Sequence, residues 1–120
     1  NETEASFYYG QSIKNEEDCK KAGSFFLDKG IKNIIITLGE NGCYFKNNKE
    51  EFIVPASNLK KPVVDTTGAG DAFNGALSVA ISQNNNYKEA IEFANLVAGV
   101  SVTREGAANS MPYKEELLYK

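Results

Sequence analysis

Residues 31–38 read Ile-Lys-Asn-Ile-Ile-Ile-Thr-Leu, a β-branched apolar run of strand length punctuated by Gly39 and Gly42. Three isoleucines in a row leave no polar face for water, so the run suits a strand covered on both faces, as in a parallel sheet. The segments around it supply the cover. Residues 2–9 read as a short helix closed by Gly10. Residues 15–29 read as a second, with Glu16, Glu17 and Asp18 at its positive end and Gly30 just beyond it. Residues 43–46 and 51–54 are two short strands that turn near Asn47-Asn48, and Pro55 ends the second. Residues 60–65 reach a further short strand. Then Ala72, Phe73, Ala76, Leu77, Ala80 and Ile81 recur as adjacent pairs four apart, the stripe of an amphipathic helix. Asn84-Asn85-Asn86 breaks that helix, and another follows with Tyr87, Ala90, Ile91, Ala94, Val97, Ala98 and Ser101 on one small-residue face. Gly106 closes it loosely, and Pro112 opens a last short helix ending near Leu118. The class is α/β with a covered sheet. Three to five strands leave an unpaired sheet edge, and no repeat, linker or low-complexity tract interrupts the pattern.

The side-chain inventory excludes several chemistries. The 120 residues contain no histidine, so no Ser-His-Asp or Cys-His nucleophile and no histidine-containing zinc site can be assembled from them. A net charge of -3 argues against electrostatic nucleic-acid binding. Twelve of the 13 basic residues are lysines, and Arg104 alone cannot make a phosphate-clamping arginine cluster. No apolar stretch approaches the ~18 residues of a membrane span. The opening Asn-Glu-Thr-Glu has neither the basic start nor the apolar core of a signal peptide. Without an initiator methionine, the chain is expected to be a processed form or a piece of a longer one. Cys19 and Cys43 are too far apart for a CxxC motif and read as reduced, structural thiols of a cytosolic protein.

The most informative stretch is Asp65-Thr-Thr-Gly-Ala-Gly-Asp-Ala-Phe-Asn-Gly-Ala76, a glycine-rich turn that empties into a helix. At a helix N-terminus the first backbone N–H groups lack intrahelical partners and the dipole leaves partial positive charge. Gly68 and Gly70, lacking Cβ, let phosphate oxygens approach the backbone closely. The stretch is neither a P-loop, since no Gly-Lys-Ser/Thr follows, nor G-x-G-x-x-G, since residue 73 is Phe. Asp71 reads in two ways. It can cap the helix, or it can act as a general base beside an anion hole, taking a proton from a hydroxyl while the helix end stabilises a transferring phosphoryl group.

This stretch resembles the C-terminal signature of the ribokinase-like (PfkB) carbohydrate kinases. Asn1-Glu-Thr-Glu4 is similar to the Asn-x-x-Glu motif of that family, and Ile-Thr-Leu-Gly-x-x-Gly at 36–42 and Val-Thr-Arg-x-Gly-Ala at 102–107 resemble its ribokinase branch in order and spacing. The resemblance covers essentially the whole chain. It implies a three-layer α/β/α fold and ATP-dependent phosphorylation of ribose at its 5-hydroxyl. It makes Asp71 the catalytic base and Gly68, Ala69 and Gly70 the anion-hole turn. It places Asn1 and Glu4 in the organisation of Mg²⁺ and phosphate, largely through water. Thr37, Leu38, Gly39, Glu40, Asn41 and Gly42 match the loop along ATP, and Asn95 matches a position lining the adenine pocket. Asp65 and Thr67, the backbone at Ser101, Arg104 and Gly106, and Ser110 match a monovalent-cation site for K⁺.

Without the resemblance, Asn1 and Glu4 read as a solvated helix start, residues 37–42 as a hairpin turn and Asn95 as an ordinary exposed residue. The resemblance also implies that residues 1–120 are the C-terminal nucleotide-binding portion of a longer cytoplasmic kinase. The sugar-binding half, and the lid through which such kinases form homodimers, lie outside them. This portion alone is expected to bind nucleotide weakly and to turn over negligibly. Another sugar or nucleoside kinase of the same family, or a non-catalytic nucleotide-binding domain, remains open.

Overall fold

Helix α1 (Glu2–Tyr9) begins where Asn1 and Glu4 form a capping box. The Asn1 Oδ1 accepts the Glu4 N–H at 2.9 Å, and the Glu4 carboxylate accepts from the Asn1 nitrogen at 3.0 Å. Gly10 ends the helix at φ 84°, its N–H donating to the Ser6 carbonyl. The structure is a computed structural model that describes residues 1–57, 59–83 and 85–117. The chain divides into two compact units, the first spanning Asn1–Pro55 and the second running from Ala56 onward.

In the first unit, Asn15 caps α2 (Glu16–Asp28) by accepting the Asp18 N–H at 2.8 Å. Three acidic residues in the first turn complement the helix dipole. The strands β1 (Asn33–Thr37), β2 (Cys43–Asn47) and β3 (Glu51–Val54) form an antiparallel sheet in the order β1-β2-β3. Ile36 pairs with Tyr44, and Tyr44 with Ile53. The core gathers Ile13, Cys19, Ala22, Phe26, Ile36 and Tyr44.

This arrangement differs from the parallel, doubly covered strand expected at residues 31–38. Among the described residues β1 pairs only with β2 and is an edge strand, so of its three isoleucines only Ile36 is fully buried. It is the central strand, β2, that buries successive side chains at Cys43, Tyr44 and Phe45.

The second unit is built on α3 (Ala69–Ser82) packed against α4 (Tyr87–Ser101). Ala72, Phe73, Ala76 and Ala80 are buried on α3, and Ala90, Ile91, Ala94 and Val97 on α4, so small side chains carry much of both buried faces. Asn86 caps α4 by accepting the Glu89 N–H at 2.8 Å. Asn84 and Leu118 lie outside the described residues. Ile81, expected in the stripe, is exposed, because it lies about 140° around the helix from Ala76, the middle of the buried Ala72, Ala76 and Ala80 row.

No strand forms at residues 60–65. The amides of Val64 and Asp65 instead both donate to the Val102 carbonyl, at 2.7 and 3.1 Å. The last helix, α5 (Lys114–Leu117), starts two residues after Pro112.

Candidate functional site

In the second unit, α3 starts at Ala69, three residues before its apolar stripe. Gly68 is the N-cap at φ 79°, and Ala69, Gly70 and Asp71 form the first helical turn. The Ala69 N–H is used by a turn to the Thr66 carbonyl at 3.2 Å, and the first helical bond runs from the Ala72 N–H to the Gly68 carbonyl at 2.9 Å. The amides of Gly70 and Asp71 therefore precede the helical ladder. Gly70 is exposed, and a Cβ built on it would meet nothing within 4 Å. Asp71 is exposed too, at the third helical position. The capping alternative is not realised, since the N-cap is Gly68 and among the described residues nothing engages the Asp71 carboxylate.

Gly68 is held differently. A Cβ there would lie 3.0 Å from both Cα and Cβ of Ala107, so the turn rests directly on the 102–110 loop. Asp65 ties the same two segments together. Its Oδ1 accepts the Thr67 N–H at 2.9 Å and its Oδ2 the Gly106 N–H at 3.0 Å. Hydrogen bonding from Thr67, side chain first and then amide, followed by the Gly106 amide, holds the Asp65 carboxyl below its ordinary 3.8. Ser101 and Ser110 are fully buried with their hydroxyls 3.0 Å apart. Ser110 donates to the Ala107 carbonyl at 2.6 Å, which leaves Ser101 as donor to Ser110. Arg104 donates its backbone N–H to the Ser101 carbonyl and turns its guanidinium to Glu116. The structure thus gathers Asp65, Thr67, Gly68, Ser101, Gly106 and Ser110 around one loop contact. Asn95 is buried on α4, which excludes its reading as an ordinary exposed residue.

In the first unit, Thr37–Gly42 connects two antiparallel strands and is a hairpin loop in form. Gly39, Glu40 and Asn41 make one 3-10 turn, in which the N–H groups of Asn41 and Gly42 donate to the Leu38 and Gly39 carbonyls. Gly39 and Gly42 have positive φ, 57° and 92°, and the Leu38 N–H closes the loop onto the Gly42 carbonyl at 2.8 Å. Leu38 and Asn41 line a cleft of about 360 Å³ together with Glu2, Ile13 and Ile53. Asn1 and Glu4 are exposed, with their oxygens engaged in the capping box.

Among the described residues no three of His, Cys, Asp and Glu come together as a metal cluster. The oxygens of Asn1 and Glu4 are hard donors that suit Mg²⁺ held through water. Asp65, beside the carbonyl-rich 101–110 turns, is a donor set that fits a loosely held monovalent cation. Cys19 and Cys43 are free and buried, and no helix among the described residues is long and apolar enough to cross a membrane. Spacing alone had no means of finding the Gly68–Ala107 contact or the Arg104–Glu116 pair.

Residues 1–114 match the family model for pfkB family carbohydrate kinases. The chain is 38% identical over 118 residues to a ribokinase of Haemophilus influenzae, an alignment covering 98% of this chain and 38% of that protein. Among solved structures it is similar to ribokinase from Thermotoga maritima at 39% identity and a TM-score of 0.84, over 98% of this chain and 38% of that one. It is also similar to Arabidopsis thaliana ribokinase complexed with ribose and ATP, at 31% identity and a TM-score of 0.94, over 99% and 38%. The chain thus spans well under half the length of the proteins it matches.

Proposed function

The chain belongs to the pfkB family of carbohydrate kinases, and on that premise we propose that it is the C-terminal, nucleotide-binding portion of a cytoplasmic kinase that phosphorylates ribose at its 5-hydroxyl with ATP. The observation that carries this reading is the open N-terminus of α3, where Gly70 leaves the backbone approachable and Asp71 presents an uncommitted carboxylate. Asp71 accepts the proton of the attacking sugar hydroxyl. The amides that the Gly68-Ala69-Gly70 turn leaves open at the start of α3, with the helix dipole, stabilise the charge on the phosphoryl group in transfer. Thr37–Gly42 lies along the nucleotide, and Asn95 lines the adenine pocket. Asn1 and Glu4 orient water around Mg²⁺, while Asp65, Thr67, Ser110 and the backbone at Ser101, Arg104 and Gly106 hold K⁺. When bound, these ions neutralise phosphate charge and the charge beside the glycine turn. Buried free thiols support the cytoplasmic placement. The sugar half and the lid that joins two subunits lie outside these residues, so the portion alone turns over negligibly.

The test is Asp71→Asn in the full-length kinase. Turnover of ribose is expected to fall by about 10²–10⁴, the usual contribution of a general base, with ATP affinity by calorimetry unchanged. Stability should move by no more than about 0.5 kcal/mol, since the side chain is exposed and unengaged. Wild-type turnover in this variant removes Asp71 from the role. Preference for another sugar across an acceptor panel reassigns the substrate within the family.

A further inference from the structure

We propose that Arg104 and Glu116 are positioning residues: the fork between them seats the 102–110 loop against the Gly68 turn and so aims the N-terminus of α3. The inference rests on the phosphoryl-transfer reading above and adds to it two side chains that touch no substrate.

Arg104 is the lone arginine of the chain, and its side chain makes the paired contact that only a guanidinium makes. One terminal nitrogen donates to Glu116 Oε1 at 2.8 Å and the other to Oε2 at 3.2 Å. The same Oε2 accepts the Tyr113 N–H at 2.6 Å, just before α5. Glu116 is therefore a junction that ties the start of the loop to the chain that follows it.

The loop is otherwise a series of turns, so its position depends on point contacts. Gly106 reaches Asp65 through its amide, and the Ala107 carbonyl accepts from Ser110. Ala107 is the surface on which Gly68 rests. Releasing Arg104 frees the loop two residues before Gly106 and three before Ala107. Gly68 is the N-cap, so a shift there tilts the Gly70 and Asp71 amides. Those amides are aimed at the phosphoryl oxygens where they stand in the transition state, so misaiming them lowers kcat far more than it raises KM.

The experiment uses Arg104→Lys, Glu116→Gln and the exchanged pair Arg104→Glu/Glu116→Arg in the full-length kinase. Lysine keeps the charge and loses the fork. Each single variant is expected to lower kcat about tenfold, with KM for ATP and ribose within about twofold of wild type, at a temperature where all remain folded. The exchanged pair should recover part of the loss. Amide hydrogen exchange at Gly106 and Ser110, whose N–H groups donate to Asp65 and to the Ala107 carbonyl, should accelerate about tenfold in Glu116→Gln, with exchange across α4 unchanged. Wild-type kcat in the folded single variants overturns the proposal, as does a kcat loss that only tracks melting temperature. Unaltered exchange at Gly106 and Ser110 overturns it independently, whether or not the wild-type protein phosphorylates ribose. Wild-type turnover itself tests the phosphoryl-transfer reading.

Discussion

Gly68 and Gly70 stand two residues apart in one turn, yet alanine at each should fail for opposite reasons. At Gly68 the backbone is left-handed, φ 79°, and a Cβ would press on Ala107 at 3.0 Å. The conformational cost is about 1–2 kcal/mol, and overpacking against the loop adds about 1–3 kcal/mol. Gly68→Ala should therefore lose roughly 2–5 kcal/mol of stability. Gly70 lies in the right-handed helix with nothing within 4 Å of the added carbon. There alanine should be neutral or stabilising by about 0.4–1 kcal/mol, because it restricts the unfolded chain.

Activity should reverse the order of benefit. If the Gly70 amide meets a phosphoryl oxygen, a methyl group beside it keeps that oxygen away. Loss of one such donor costs about 10²–10³ in kcat. The assay pairs urea unfolding of the full-length kinase with steady-state ADP release on the same preparations. The expected signature of Gly70→Ala is a stable enzyme that turns over poorly. Wild-type kcat in Gly70→Ala would refute the claim that the glycine serves ligand approach. A loss of stability equal to that of Gly68→Ala would refute the geometry.

The first unit offers two further tests, neither dependent on turnover. A Cβ on Gly23 would lie 2.6 Å from the Tyr44 hydroxyl and 3.0 Å from its ring, so Gly23→Ala should cost about 1–3 kcal/mol. Tyr44→Phe removes the hydroxyl, the closest part of that obstruction, together with its 2.6 Å bond to Glu51, a loss of about 1 kcal/mol. The double variant should then be less destabilised than the sum in urea unfolding, and strict additivity would show that the hydroxyl does not oppose the methyl. Burial, the largest cause, pushes the Cys43 thiol up from 9.0 to about 12. The unfolded chain thus loses this proton first as pH rises. The contribution is fully present below pH 9 and falls by about 1.4 kcal/mol per pH unit between 9 and 12. The stability difference between wild type and Cys43→Ala should shrink by about 1 kcal/mol between pH 9 and 10, where the unfolded thiol is passing through its midpoint, and a constant difference would contradict the burial argument.

Local chemistry was legible in the sequence to within a residue or two. The helices expected at 2–9 and 15–29 form at Glu2–Tyr9 and Glu16–Asp28, and Gly10 ends α1 in the left-handed region that glycine favours. What depended on distant partners was not. The isoleucine run suited double cover, but which strand lies at the centre is decided by pairing, and that is β2. Residues 60–65 have strand composition, yet the amides of Val64 and Asp65 share a single carbonyl at Val102 rather than joining a partner strand. Asp65 meets the Gly106 amide across 41 residues, and no local pattern announces that bond.

The start of α3 is the instructive case, because there the two kinds of information conflict. Periodicity begins the helix at Ala72, where apolar side chains first recur, whereas the backbone is helical from Ala69. The missing turn carries a glycine at its second position, which lowers helix propensity by about 1 kcal/mol relative to alanine. Packing does not require that glycine, since a Cβ there would touch nothing, and neither does an unusual φ, since the residue is right-handed. Its neighbour Gly68 is explained by both, through its positive φ and its contact with Ala107. Under the phosphoryl-transfer reading, a residue that weakens its own helix and relieves no internal contact serves a ligand that approaches from outside. On that same reading the aspartate immediately after it, exposed and uncommitted, serves the same ligand.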